Sequence, residues 1–228
     1  MHTSLQKLTL VKNKVNEIIR QKQLKTNPKI IVVTKTFSLD KITPLLEIGH
    51  IHFGENKIQE AENKWVKVRK QFHNIKLHMI GKLQSNKVKK AVKIFDYIHS
   101  LENSKLALKI FQYEKELNKK IKLFIQVNLA DENQKSGILL NDLNNFYYYC
   151  TKELSLNIIG LMCLPPIVSN PSQYFKILKN TAEKLNLKDE PLSKILVISN
   201  PALCLLAICF TMESPNPVPS IFCVVSNL

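Results

Sequence analysis

The chain has 228 residues, enough for one sizeable domain with a buried core, and its 45% hydrophobic and 22% charged content is ordinary for a globular protein. A net charge of +15 raises the question of a nucleic-acid surface, but the lysines are scattered among Asn and Ile rather than clustered on one element. Residues 1–23 carry charge throughout and lack the form of a signal peptide, and no apolar run before residue 190 is long enough to span a membrane.

The cysteines, Cys150, Cys163, Cys204, Cys209 and Cys223, form no CxxC pair and match neither a disulfide framework nor a zinc spacing. A solvated basic surface, a cytoplasmic location, no metal and no membrane partner are the expectations that follow.

The apolar spacing of Leu5, Leu8, Val11, Val15, Ile18 and Ile19 predicts a helix over 4–24, ended by Pro28. The continuous run Lys29-Ile30-Ile31-Val32-Val33-Thr34 predicts a strand buried on both faces, as in parallel sheets. Helix and strand then alternate: helix 38–47, strand 50–53, helix 58–72, strand 77–80, helix 85–93 and strand 97–99. Helix 103–117, strand 122–127, helix 139–152, strand 158–163 and helix 171–187 complete the series. Such alternation predicts a parallel sheet with helices outside, either open or closed into a barrel.

Polar residues gather just after the strands: Lys35, then Gly54-Glu55-Asn56, then Gly81 and Gln84, with Ser100, Asn128 and Met162 following the later ones. In a (β/α)8 barrel that rim carries the site, whereas an open sheet draws on fewer strands. Contributions from so many strands favour the barrel, as a single domain over 1–228. The segment 195–228 departs from this pattern, with one charged residue, Glu213, and no glycine. A final β/α unit needs turn glycines, so the last unit is expected to be disrupted.

Lys35 ends an apolar strand, where a partly desolvated amine can condense with an aldehyde. A solvated strand-end lysine is the plain alternative. Asn56 suits either a helix cap or a donor to a ligand phosphate, and Ser85 suits a cap. His50 and His52 share one face of a strand without an obvious third ligand, and read as core or rim residues. No Walker motif, GxGxxG or HExxH occurs.

Several stretches, in order, resemble the YggS-type pyridoxal phosphate homeostasis proteins, also called the PROSC family. They are Val32-Val33-Thr34-Lys35-Thr36, His52-Phe53-Gly54-Glu55-Asn56-Lys57-Ile58-Gln59-Glu60, and His78-Met79-Ile80-Gly81-Lys82-Leu83-Gln84-Ser85-Asn86-Lys87. Val127-Asn128-Leu129, Lys135-Ser136-Gly137 and Ile159-Gly160-Leu161-Met162 follow, so the resemblance covers roughly residues 1–195. It implies a (β/α)8 TIM-type barrel like the alanine racemase N-terminal domain, with pyridoxal 5′-phosphate (PLP) as cofactor. It also implies a Schiff base on Lys35 and a place for Asn56 in the cofactor pocket.

By the same resemblance the function is vitamin B6 homeostasis, as a carrier or regulator without established turnover, since racemisation needs acid–base groups near a substrate α-carbon. A monomer, with PLP-dependent apo-enzymes as partners, is expected. A racemase-like or decarboxylating enzyme on the same barrel and a basic nucleic-acid-binding protein are the alternatives.

The resemblance fails after Lys194-Ile195-Leu196. There the family carries Ser-Met-Gly-Met-Ser and later Gly-Ser-Thr and Arg-Ile-Gly-Thr stretches that hold the cofactor phosphate. Here Val197-Ile198-Ser199-Asn200-Pro201 and Thr211-Met212-Glu213-Ser214-Pro215-Asn216-Pro217 stand in their place. Losing several charge-assisted donors costs a few kcal/mol, at about 1.5–3 kcal/mol each. Impaired phosphate binding through a frameshift or gene decay is the expectation.

Overall fold

The protein is described from a computed structural model, over residues 3–21, 23, 28–129, 136–165, 171–185, 187, 194–198 and 221–225. Helix α1 (Thr3–Gln21) opens the chain and buries Leu8, Val11 and Val15, the stripe that its spacing predicts. Next come β1 (Lys29–Val33), α2 (Leu39–Glu47), β2 (His52–Glu55), α3 (Ile58–Val68) and β3 (Lys76–Met79). A 3-10 turn at Ser85–Lys87 leads into α4 (Val88–Ile94), followed by β4 (Tyr97–Leu101), α5 (Ser104–Glu116) and β5 (Lys122–Asn128). The order continues with β6 (Ile138–Leu139), α6 (Leu143–Tyr148), β7 (Asn157–Cys163), α7 (Pro171–Lys184), β8 (Lys194–Ile198) and β9 (Ile221–Val225).

Among the described residues all the pairings are parallel. β1 to β5 pair in sequence order, β5 pairs β7, and β8 pairs β1. β9 lies between β7 and β8, so that among the described residues eight strands pair in a ring, while β6 pairs only with β5. This is the (β/α)8 barrel that the alternation favours. Its last two strands depart from the regular order, in which β8 would lie beside β7 and β9 beside β1.

Residue alternation divides the core into two layers. Inside the ring, Ile31 and Val33 of β1 meet Ile80, Tyr97, Phe124 and Met162. Outside it, between strands and helices, Phe53 packs on Trp65 of α3, with ring centroids 4.8 Å apart. Both side chains are fully buried, and each contributes on the order of 1.5–3 kcal/mol or more.

The single helix predicted over 139–152 is split. Ile138 and Leu139 form β6, and α6 ends in a π-type turn in which the Leu154 N–H reaches the Tyr149 carbonyl at 3.1 Å. The β6 segment depends on Gly137 (φ +136°), where a Cβ would lie 2.8 Å from Asn128 N. No helix among the described residues is long and apolar enough to cross a membrane.

Candidate functional site at the barrel rim

The register of β1 on β2 pairs Val33 with Gly54, so Lys35 and Asn56 each stand two residues beyond a paired position, at one level of the rim. Lys35 lies in the turn after β1, two residues past the inward-facing Val33, and is half-buried; Asn56 is half-buried too. Neither side chain has a hydrogen-bond partner among the described residues. Asn56 is not a helix cap, because α3 takes Lys57 as its N-cap residue, without a side-chain cap bond. Ser85 does not cap either: Gln84 precedes the 3-10 turn and Lys87 precedes α4.

The rim turns are stitched together. Thr34 N–H donates to the Gly54 carbonyl (2.9 Å), Ile80 N–H to the Glu55 carbonyl (3.0 Å), and Ser100 Oγ to the Gly81 carbonyl (2.7 Å). Gly81 is required by contact: a Cβ there would stand 2.4 Å from the Asn56 carbonyl oxygen and 2.9 Å from its Cα. Lys82 reaches across to Ser136 Oγ (2.9 Å) and Glu102 (3.3 Å), and Gln126 donates to the Ser136 carbonyl (2.8 Å). Lys135 of the matching stretch, and residues 199–201 and 211–217 of the stretches that replace the family's phosphate cradle, lie outside the described residues.

Behind Lys35, on the helix side of β2, is a polar cluster that sequence reasoning missed. Glu55 is fully buried, and its Oε1 accepts from Thr34 Oγ1 (2.7 Å), Lys64 Nζ (2.9 Å) and Trp65 Nε1 (2.9 Å). Its Oε2 is buried with no partner among the described residues. Lys64 Nζ also donates to the Thr34 carbonyl (2.7 Å) and to Glu60 Oε1 (3.0 Å). A buried acid in a strand, with a lysine and a tryptophan nine and ten residues on, was the available signal; helical spacing puts Glu60 and Lys64 on one face.

A second feature, of which only His52 is legible in the sequence as a core or rim residue, crosses the barrel interior below the rim. His52 Nδ1 lies 3.0 Å from His78 Nε2, and His78 stacks on Tyr97 with centroids 4.2 Å apart. His99, in the next strand, stacks on Phe124 at 4.4 Å. His50 stands outside this row, with its Nε2 2.9 Å from the His52 carbonyl. Burial pushes His50 and His52 down to about 4, with Lys12 disfavouring the His50 cation and Lys29, His50 and Lys76 the His52 cation. His78 and His99 are held well below the usual histidine range by burial, and in His78 also by its neighbouring rings. Among the described residues no group of three or more His, Cys, Asp or Glu could hold a metal ion.

Residues 11–213 match the family Alanine racemase, N-terminal domain. A pyridoxal phosphate homeostasis protein of Synechocystis is 34% identical over 161 residues, covering 69% of this chain and 73% of that protein. The chain belongs to the pyridoxal phosphate homeostasis proteins of the alanine racemase N-terminal domain family. A member from Haemophilus influenzae is 26% identical over 212 residues, covering 92% of this chain and 87% of its own length.

Among solved structures, PipY of Synechococcus elongatus without PLP superposes with a TM-score of 0.73 at 26% identity, covering 92% of this chain and 97% of that one. The form of PipY with PLP bound gives 0.70 at 25% identity, covering 92% and 96%. Alanine racemase from Corynebacterium glutamicum, at 14% identity and a TM-score of 0.61, shares the fold, covering 93% of this chain and 59% of its own. The family resemblance read from Lys35, Asn56 and the rim turns is therefore confirmed at the level of family and fold.

Proposed function

We propose that this chain binds PLP as a homeostasis protein, holding it as a Schiff base on Lys35 with Asn56 lining the pocket. The observation that carries the reading is the position of Lys35: a half-buried lysine, two residues past the inward-facing Val33 of β1, at the level of Asn56 on the barrel rim. The bound PLP of the PipY structure, on the same fold, supports the choice of cofactor. In the attachment step Lys35 Nζ adds to the aldehyde carbon, and a C=N bond forms as the carbonyl oxygen leaves as water.

The residues present fit the aldehyde end of such a group. Asn56 offers a side-chain donor at the level of Lys35, and Gly81, lacking a Cβ, lets the third rim turn close on the Asn56 backbone. We place the protein in the cytoplasm as a carrier or regulator acting as a monomer, with PLP-dependent apo-enzymes as recipients. Adding PLP to the purified protein, then borohydride, and mapping the modified peptide tests the reading. Expected are a visible absorbance band and a reduced adduct on Lys35, both lost in Lys35→Ala. A colourless protein with no adduct would leave the fold and remove the binding.

A further inference from the structure

Lys35 is joined to its neighbours by two peptide units, and both are held from behind by the same pair of side chains. The Thr34 carbonyl, which belongs to the unit before Lys35, accepts from Lys64 Nζ at 2.7 Å. The Thr36 N–H, which belongs to the unit after Lys35, donates to Glu60 Oε1. Lys64 and Glu60 are themselves bonded at 3.0 Å, one helical turn apart on α3. Glu55 completes the frame, taking Lys64 Nζ and Thr34 Oγ1 on one oxygen.

Two features set this cluster apart from an ordinary stabilising ion pair. Thr36 adopts φ +65°, a left-handed conformation that costs a β-branched residue on the order of 1–2 kcal/mol and is kept only where surroundings enforce it. Glu55 Oε2 is buried without a partner among the described residues, a further cost to folding. A buried ion pair is in any case weak evidence for stability. What the arrangement fixes is the backbone on both sides of one residue, and so the direction in which that residue's side chain leaves the strand.

We infer that Lys64 and Glu60 are positioning residues that clamp the Lys35 backbone and aim its amine into the barrel mouth. This assignment rests on the reading of Lys35 as the attachment point for PLP. The clamp is geometric, so Glu60→Gln, which keeps an oxygen for Thr36 N–H, should behave much like the unsubstituted protein. Glu60→Ala removes that acceptor, and Lys64→Met removes the donor to the Thr34 carbonyl while roughly keeping its volume.

The test uses the full chain with PLP as the probe. The rate of appearance of the absorbance band, its pH midpoint and borohydride trapping at Lys35 are followed beside the melting temperature. Glu60→Ala and Lys64→Met should slow attachment about ten-fold or more, the scale of a misplaced reacting group, and move the pH midpoint. Glu60→Gln should restore both. Lower melting temperatures with unchanged attachment rate and pH midpoint would show the cluster to be structural only and overturn the clamp. If Lys64→Met does not fold, Glu60→Ala decides alone, since Glu60 lies at the partly exposed edge of the cluster (25%). Absence of any trapped adduct in the unsubstituted protein overturns the Lys35 reading and the clamp with it.

Discussion

His78 Nδ1 lies 2.9 Å from His99 Nε2 across adjacent strands of the barrel interior, and both rings are buried and held neutral. Two neutral imidazoles satisfy such a contact with one proton between them, whereas two cations would face donor to donor.

Stability should therefore fall on acidification. The folded-state values of His50, His52, His78 and His99 all lie below the ordinary 6.5, so between the folded and unfolded values the unfolded chain binds more protons. The stabilisation is fully present above pH 6.5 and is lost as pH falls toward about 4 for His50 and His52. Each ring that stays neutral costs about 1 kcal/mol at pH 5.5, so the group together should dominate a denaturant series from pH 7.5 to 5.5. His78→Gln should flatten the slope. An unfolding free energy independent of pH over that range would contradict neutral buried rings.

Gly81→Ala should damage the rim rather than merely loosen it. The new Cβ would need to displace the Asn56 backbone, 2.4 Å away at its carbonyl oxygen, because backbone has no far end that can swing aside. Overpacking of this kind costs roughly 1–3 kcal/mol. PLP affinity, read by absorbance titration, should weaken along with stability. Unchanged affinity in a folded Gly81→Ala protein would show that the Asn56 turn lies outside the cofactor pocket.

Asp96 offers the opposite case, a polar node at the other end of the strands. Its Oδ2 accepts from the Leu77 N–H (2.7 Å) and pairs with Arg69, which also donates to the Ile94 (2.7 Å) and Ile75 (3.1 Å) carbonyls. Asp96→Ala should cost about 1–3 kcal/mol by urea unfolding, through the lost charge-assisted bonds. PLP attachment at Lys35 should be unaffected well below the unfolding transition. A large loss of attachment there would tie this node to the site.

Cys150 and Cys163 should resist alkylation in the folded state. Burial pushes both thiols up to about 12, which leaves almost no thiolate at neutral pH. Peptide mapping after brief iodoacetamide treatment at pH 8 should find both unmodified, and both modified once the chain is unfolded in urea. Rapid labelling of either in the folded protein would mean that its pocket opens.

Much of this molecule is legible along the chain. The β-branched run at 29–34 and the apolar stripes of α1, α3 and α5 are local patterns, and local periodicity is enough to set helix and strand. The placing of Lys35 and Asn56 just after strands, with the rim turns between them, was legible for the same reason, and carried the family resemblance. Boundaries were less so: the first turn of the helix read from Ser85 is a 3-10 turn, and residues 138–139 fold back as a strand because Gly137 permits the bend.

The alternation of elements and the candidate lysine follow from the chain alone, since each depends on residues within a turn or two of one another. Which groups meet depends on how the strands and helices pack. His52, His78 and His99 come from three strands, and the parallel register brings them into one row. Lys64 reaches the Thr34 carbonyl, thirty residues back in the chain, because α3 packs over β1 and β2. The order of the closing strands, with β9 between β7 and β8, is likewise a matter of pairing. Contacts of that range depend on register and barrel closure, which no local spacing encodes.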